Sequence, residues 1–107
     1  MTNANSGAGG TSLLRIEGEM TIYRALELKQ ALLDRLKDSA AVEIDLAGVT
    51  EFDTAGVQLL LLAKKAAQVR QRELRLVAQS PAVAEVLELL NLATDFGDPR
   101  VMSSASA

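Results

Sequence analysis

Residues 50–62, TEFDTAGVQLLLL, are the most informative part of this chain for its fold. The stretch places the hydroxyl of Thr54 directly after the acidic Asp53, where a polar loop gives way to an apolar helix. A helix N-terminus has unpaired backbone N–H groups and about +0.5 of effective charge. It therefore suits an anion, including a phosphate attached to the protein itself. Thr54 is either a phosphate acceptor or an ordinary first-turn residue, and the residues alone favour neither.

Hydrophobic periodicity on both sides of this stretch predicts alternating strands and helices. The predicted strands are 12–17, 42–46 and 74–76, with a turn at Gly18-Glu19 before a short extended piece at 20–22; the predicted helices are 24–37, 54–71 and one that begins at Ser80-Pro81. This alternation is typical of a mostly parallel sheet. Because the strands alternate apolar and polar residues, we expect the helices to lie mainly on one face of the sheet. The expected fold class is a two-layer α/β domain.

Composition excludes several classes of site. The 107 residues contain no Cys and no His, which removes disulfides, thiolate chemistry and every histidine-based triad, metal site or phosphorelay. A net charge of −3, 3% aromatic residues and the lack of a basic run argue against nucleic acid as a partner. No apolar run approaches the length of a membrane span. We expect a cytoplasmic domain without direct membrane insertion, folded over 11–98 between flexible tails at 1–10 and 99–107.

Carboxylates are the remaining catalytic candidates. Asp45 ends a predicted strand, and Glu51 and Asp53 follow in the loop, where α/β sheets place ligands. An acid pair or a Mg²⁺ site is one interpretation, but a solvated loop with Asp53 as a helix cap is favoured. The glycines form no nucleotide-binding pattern. We therefore expect no metal, no cofactor and no enzymatic activity.

Asp53 fits the N-cap position, where its side chain accepts from the backbone N–H of Ala55 or Gly56. A glycine in the first helical turn costs about 1 kcal/mol relative to alanine. Gly56 therefore indicates either that a ligand or partner approaches the backbone closely or that the helix packs against a strand.

Residues 44–57, IDLAGVTEFDTAGV, closely resemble the signature of STAS domains, the family of bacterial anti-sigma factor antagonists. Gly18-Glu19-Met20 and the segment 80–92 resemble two further parts of the family pattern. The resemblance implies a mixed, mostly parallel sheet of four to five strands with the helices packed on one face. The stretch before Leu13 is short and Gly-rich for the extra N-terminal strand of many antagonists.

The resemblance also implies a partner-switching function in transcription regulation. In antagonist members, the residue that matches Thr54 is phosphorylated by a partner anti-sigma factor, a Ser/Thr kinase that binds the ATP. The unphosphorylated form binds that partner and frees a sigma factor. The docking surface is then expected over the loop 47–53 and the helix start. The expected partner-binding residues are Gly48, Val49, Thr50, Glu51, Phe52, Asp53, Thr54, Ala55, Gly56, Val57 and Gln58.

Two other groups of partners stay open. The Asp53-Thr54-Ala55-Gly56 form also resembles the small STAS subunit of phospholipid-trafficking ABC transporters, which docks on the ATPase subunit with the Thr at the contact. Similar short STAS proteins accompany chemotaxis-like signalling systems. The resemblance is therefore more specific for fold than for partner.

Overall fold

A computed structural model of the protein describes residues 10–92. The chain forms β1 (Thr11–Met20), a 3₁₀ turn (Ile22–Arg24), α1 (Ala25–Asp38), β2 (Ala41–Phe52), α2 (Thr54–Val69), β3 (Glu73–Gln79) and α3 (Pro81–Leu89). Residues 1–9 of the predicted N-terminal tail, residues 93–98 of the predicted folded part and the whole predicted tail at 99–107 lie outside the described residues. Gly10 is described, and its carbonyl oxygen accepts from the N–H groups of Ala40 and Ala41.

The part of the sheet formed by the described residues has three strands in the order β1-β2-β3, and both pairings are parallel. The prediction of a mixed sheet with four to five strands is therefore wrong for residues 10–92. One reason is the extended piece expected at 20–22. Met20 is the last residue of β1, and Ile22 begins the 3₁₀ turn, so this piece forms no strand of its own.

The turn predicted at Gly18-Glu19 is an irregularity inside β1. Gly18 has φ +81°, which only glycine adopts without strain, and the β1–β2 register shifts on either side of Glu17-Gly18. The Arg24 guanidinium stabilises this segment, because its Nη1 donates to the carbonyl oxygens of Glu17 at 2.7 Å and Glu19 at 2.9 Å. The strand therefore continues through the bulge.

Strand β2 is also longer than its sequence pattern predicts. The sequence predicts a loop at 47–52, but these residues continue the strand, with Glu17 paired to Gly48 and Met20 paired to Phe52. Because bulges break the alternation of buried and exposed residues, periodicity fails to identify this part of the strand. Only Asp53 separates β2 from α2.

All three helices bury apolar residues against one face of the sheet, in agreement with the expected two-layer fold. The fully buried members of this core include Leu32 and Leu36 of α1, Leu60 and Ala63 of α2, Val83 and Leu87 of α3, and Ile44 and Leu46 of β2. The other face is polar at its centre, where Arg15 pairs with Asp45 at 3.3 Å and Arg75 pairs with Glu43 at 3.2 Å. Among residues 10–92, no helix combines the length and apolar content needed to cross a membrane.

Local sequence explains where α3 begins and where α2 ends. The Ser80 hydroxyl accepts from the Val83 N–H at 3.3 Å and Pro81 opens α3, as predicted. Helix α2 ends at Val69, two residues before the predicted boundary, because Gln71 adopts φ 57°. The N–H of Arg72 then reaches the Ala67 carbonyl at 2.8 Å, which closes the helix with a Schellman-type turn.

The core predicts that truncating a buried leucine of α1 costs far more stability than truncating an exposed one. Leu32 is fully buried, whereas Leu26 is 79% exposed. We expect Leu32→Ala to lower the free energy of unfolding by about 2–5 kcal/mol, because truncation leaves a cavity. Leu26→Ala serves as the matched control, and its effect should stay within about 0.5 kcal/mol. Urea denaturation measures both, and equal losses would contradict the assigned core.

Asp45 predicts a dependence of stability on pH. The Ala47 N–H donates to its carboxylate at 2.9 Å and Arg15 lies beside it, and both hold the pKa of Asp45 below its usual range. The unfolded chain then takes up this proton at a higher pH than the folded chain. The carboxylate therefore stabilises the fold above the unfolded pKa of about 4, and this contribution is lost as the pH falls through the lower folded pKa.

We therefore expect Asp45→Asn to have a lower free energy of unfolding than the native protein at pH 6. The difference between the two should disappear as the pH falls below about 4. Urea titrations across this pH range measure the difference, and Asp38→Asn, at the exposed end of α1, gives the baseline for removing one carboxylate. A constant difference between Asp45→Asn and the native protein at every pH would assign the effect of Asp45 to packing.

Candidate functional site

The junction between β2 and α2 is built around the Asp53 side chain. Its Oδ1 accepts from the N–H of Ala55 at 2.9 Å and from the N–H of Gly56 at 3.3 Å, as expected for an N-cap. The Asp53 carbonyl oxygen also accepts from the Val57 N–H. Two of the donors that a helix N-terminus offers to an anion are therefore already occupied by the chain's own carboxylate.

Gly56 allows α2 to approach the end of β1 closely. A Cβ atom at Gly56 would lie 2.6 Å from the Met20 carbonyl oxygen and 2.7 Å from the Phe52 ring. Of the two interpretations of this glycine, the structure supports packing against a strand. The close neighbour is the protein's own backbone, so Gly56 fixes the position of the helix start.

Thr54 is the first residue of α2 and is exposed. In the described part of the chain its hydroxyl makes no hydrogen bond, since Asp53 performs the capping. Thr54 and Gln58, one turn later, line two separate surface grooves. The hydroxyl therefore lies on a ridge between two concave surfaces.

The larger of these, here named the α1–α2 groove, has a volume of about 600 Å³. Among residues 10–92 its lining is almost wholly apolar, and only Lys29, Thr54 and Gln58 bring polar groups to it. Its residues are Ile22, Ala25, Leu26, Lys29, Thr54, Ala55, Gln58, Leu59 and Leu62. Ile22 and Leu26 are 69% and 79% exposed, so this apolar surface is open to a partner.

The smaller groove, here named the α2–α3 groove, lies on the other side of the ridge and measures about 340 Å³. Its residues are Phe52, Asp53, Thr54, Val57, Gln58, Val86 and Leu90. Leu90 is 52% exposed at the end of α3. The segment 80–92, which contributed to the family resemblance, thus forms one wall beside Thr54.

The eleven residues expected to bind a partner fall into three groups. Exposed are Gly48, Thr50, Glu51, Asp53, Thr54 and Gln58; half-buried are Phe52 and Ala55; buried are Val49, Gly56 and Val57. The three buried residues support the surface from below, and the other eight are accessible for direct contact with a partner. Sequence reasoning missed the contribution of Ile22, Leu26 and Lys29. An apolar Leu26 outside the buried stripe of α1 is the signal that indicates this surface.

Of the three acidic residues considered for a metal site, Asp45 and Asp53 are engaged within the protein, whereas Glu51 is exposed. The Asp45 carboxylate accepts from the Ala47 N–H and pairs with Arg15 on the open face of the sheet, and Asp53 caps α2. Among residues 10–92 no group of three Asp, Glu, His or Cys side chains is placed to hold a metal ion.

The close approach at Gly56 predicts the effect of one added methyl group. Alanine improves helix propensity by about 1 kcal/mol, but a Cβ contacting the Met20 backbone at 2.6 Å forces α2 or β1 to move. We expect Gly56→Ala to lose about 1–3 kcal/mol of stability. Urea denaturation gives this value, and amide NMR shifts at 20–22 and 53–58 report the displacement.

Gly48→Ala is the matched control. Its Cβ would meet the Glu17 Cγ at 2.9 Å, but Glu17 is an exposed, flexible side chain that can rotate away. The loss of stability should stay within about 0.5 kcal/mol. If Gly56→Ala were as mild as Gly48→Ala, the position of α2 would not depend on the Gly56 contact.

Comparison with known proteins places this architecture in a family. Two solved structures have a similar fold. A sulfate transporter family protein from Wolinella succinogenes has a TM-score of 0.67 and 18% identity, over 85% of this chain and 75% of that one. The SulP transporter STAS domain from Vibrio cholerae has a TM-score of 0.63 and 15% identity, over 83% and 70%. The family model described as "Mlab, STAS domain" matches residues 4–101, and the chain therefore belongs to the STAS domain family.

Proposed function

We propose that this STAS domain is a non-enzymatic, cytoplasmic protein-binding switch of the anti-sigma factor antagonist type. It docks on an anti-sigma factor or Ser/Thr kinase through the start of α2, and phosphorylation of Thr54 releases it. The observation that carries the proposal is the exposed Thr54 hydroxyl, which lies on a ridge between two open grooves. A kinase can reach this hydroxyl, and a docked partner would cover it.

The electrostatics of the ridge support release by phosphorylation. A phosphate on Thr54 adds about −1.5 to −2 charge next to the Asp53 carboxylate. Asp53 already holds the N–H groups of Ala55 and Gly56, so these donors are not free to neutralise the phosphate. In a covered interface the new charge is desolvated beside the Asp53 carboxylate, and burying an uncompensated charge costs about 3–5 kcal/mol. A penalty of this size weakens binding by more than about 100-fold.

The surroundings of Thr54 support docking in the unmodified state. Exposed Gly48, Thr50 and Glu51 continue the surface from the end of β2, and the grooves on both sides offer apolar area. Apolar pockets with a few polar groups at their rim are typical of protein-binding surfaces.

A second candidate is a constitutive STAS subunit bound to the ATPase of a phospholipid-transport ABC system. The Asp53-Thr54-Ala55-Gly56 sequence favours it through its resemblance to that subunit, with Thr54 as a permanent contact. An accessory role in a chemotaxis-like signalling system would use the same surface. The products of neighbouring genes identify the partner to be tested. A neighbouring kinase gene would favour the switch, and a gene for an ATPase subunit would favour the constitutive subunit.

Substitutions at Thr54 test the switch with that partner. We expect Thr54→Glu to weaken binding by at least about tenfold, since its charge of −1 is smaller than that of a phosphate. Thr54→Ser should bind and accept phosphate, and Thr54→Ala should bind without accepting it. Isothermal titration calorimetry measures affinity, and mass spectrometry after incubation with the partner and ATP measures modification.

Thr11→Glu is the matched control, because Thr11 is exposed at the amino end of β1, at the opposite edge of the parallel sheet. It makes the same change of charge and should leave binding intact. Unchanged affinity of Thr54→Glu would contradict the electrostatic switch. Loss of binding by Thr54→Ala, without any phosphorylation of the native protein, would favour the constitutive subunit.

A further inference from the structure

We propose that the α1–α2 groove and its continuation along α2 bind an amphipathic helix of the partner, with acidic side chains flanking its apolar stripe. The inference deepens the proposed function and depends on it for the existence of a protein partner. It specifies the chemistry of that partner, which the Thr54 hydroxyl alone does not.

The apolar floor of this surface extends beyond Thr54. The α1–α2 groove adjoins a second hollow of about 440 Å³, lined by Leu33, Leu62, Lys65, Ala66, Val69 and Arg70, and Leu62 belongs to both. At its far end Val69 is 77% exposed, comparable with Leu26. Scattered exposed apolar residues are ordinary, but a continuous row marks an interaction surface.

The rim of this surface is basic. Lys29 lines the α1–α2 groove, Lys65 and Arg70 line the adjoining hollow, and no carboxylate from residues 10–92 lines either. Within the described residues these three cations form no ion pair, although the whole chain has 14 acidic and 11 basic residues. Three cations around an apolar floor on an acidic protein indicate a partner with negative charges in complementary positions.

The length of the surface fits a helix. It runs from Thr54 to Arg70 along α2, whose 16 residues span about 24 Å. An amphipathic helix of about 16 residues matches this length and presents apolar anchors at i, i+3, i+4 and i+7. A phosphate on Thr54, at one end of the groove, would repel such an acidic helix, which connects the rim charges to the proposed switch.

A second copy of this chain fits the surface less well. A two-fold contact would bring Lys29, Lys65 and Arg70 of one protomer towards the same three cations of the other. Like charges opposed in an interface disfavour association. An acidic helix satisfies both the apolar floor and the cationic rim.

Two designed 16-residue peptides test the inference with the full chain. Both carry leucine at i, i+3, i+4 and i+7; one has glutamate at the flanking positions and the other lysine. Titrations followed by amide NMR give the dissociation constants and the binding site. We expect the glutamate peptide to bind at least about tenfold more tightly, with the largest shift changes in 22–29 and 62–70.

A charge-reversal variant provides the sharper readout. Lys29→Glu/Lys65→Glu should invert the preference, so that the lysine peptide binds more tightly. Arg15→Glu/Arg75→Glu makes the same change of net charge on the open face of the sheet, far from the groove, and should keep the original preference. An inverted preference requires a folded protein, so loss of folding cannot imitate it.

Several results would overturn the inference. One is that neither peptide binds with a dissociation constant below about 1 mM, and another is that both bind equally tightly. The inference would also be wrong if the shift changes lay outside the groove, or if Lys29→Glu/Lys65→Glu left the peptide preference unaltered. Binding to phosphatidylglycerol vesicles without binding to the glutamate peptide would assign the surface to a membrane. Dimerisation abolished by Leu26→Ala would assign it to a second copy.

The two proposals can fail separately. If Thr54→Glu leaves partner affinity unchanged while the peptide preference inverts as expected, the phosphorylation switch is wrong and the acidic helix stands. If Thr54→Glu abolishes binding while the peptides show no preference, the switch stands and the groove has another role.

Discussion

The contact of Gly56 with the Met20 carbonyl and the Phe52 ring is the constraint on which the arrangement of the site depends. It joins three elements at one point: the end of β1, the end of β2 and the first turn of α2. Because no side chain separates them, the helix begins directly above the sheet edge. Asp53 must then connect strand and helix in a single residue, which leaves Thr54 at the outer rim.

Asp53 decides what kind of site this rim can be. A helix N-terminus with free donors attracts anions, but here the carboxylate occupies the N–H groups of Ala55 and Gly56. The unmodified helix start is therefore internally neutralised and surrounded by apolar grooves. Because these donors are occupied, the surface is poorly suited to a free phosphate. Under the proposed function, a phosphate attached to Thr54 would place a further negative charge beside the Asp53 carboxylate.

Sequence reasoning succeeded where a local signal agrees with the packing. The Asp53 and Ser80 caps, the periodic helices and the one-sided strands each have such a signal, and the resemblance identified the family. The loop predicted at 47–52 is wrong, because these residues continue β2 through irregular pairing with β1. A bulge removes the period-two pattern by which a strand is recognised. Sequence reasoning also missed the α1–α2 groove, since the apposition of Leu26 and Leu62 arises only when two helices pack on one sheet. Non-local pairing and packing carry no short-range signature.

The one-sided sheet has an evolutionary consequence. On its open face, Arg75 forms ion pairs with Glu43 at 3.2 Å and with Glu73 at 3.6 Å, and such solvent-exposed ion pairs contribute little to stability. The alternate strand residues that face away from the helices are therefore not subject to the packing constraints that act on the core. Such a domain can accumulate substitutions over much of its sheet while its backbone stays in place. The fold is shared with the two solved structures at only 15–18% identity.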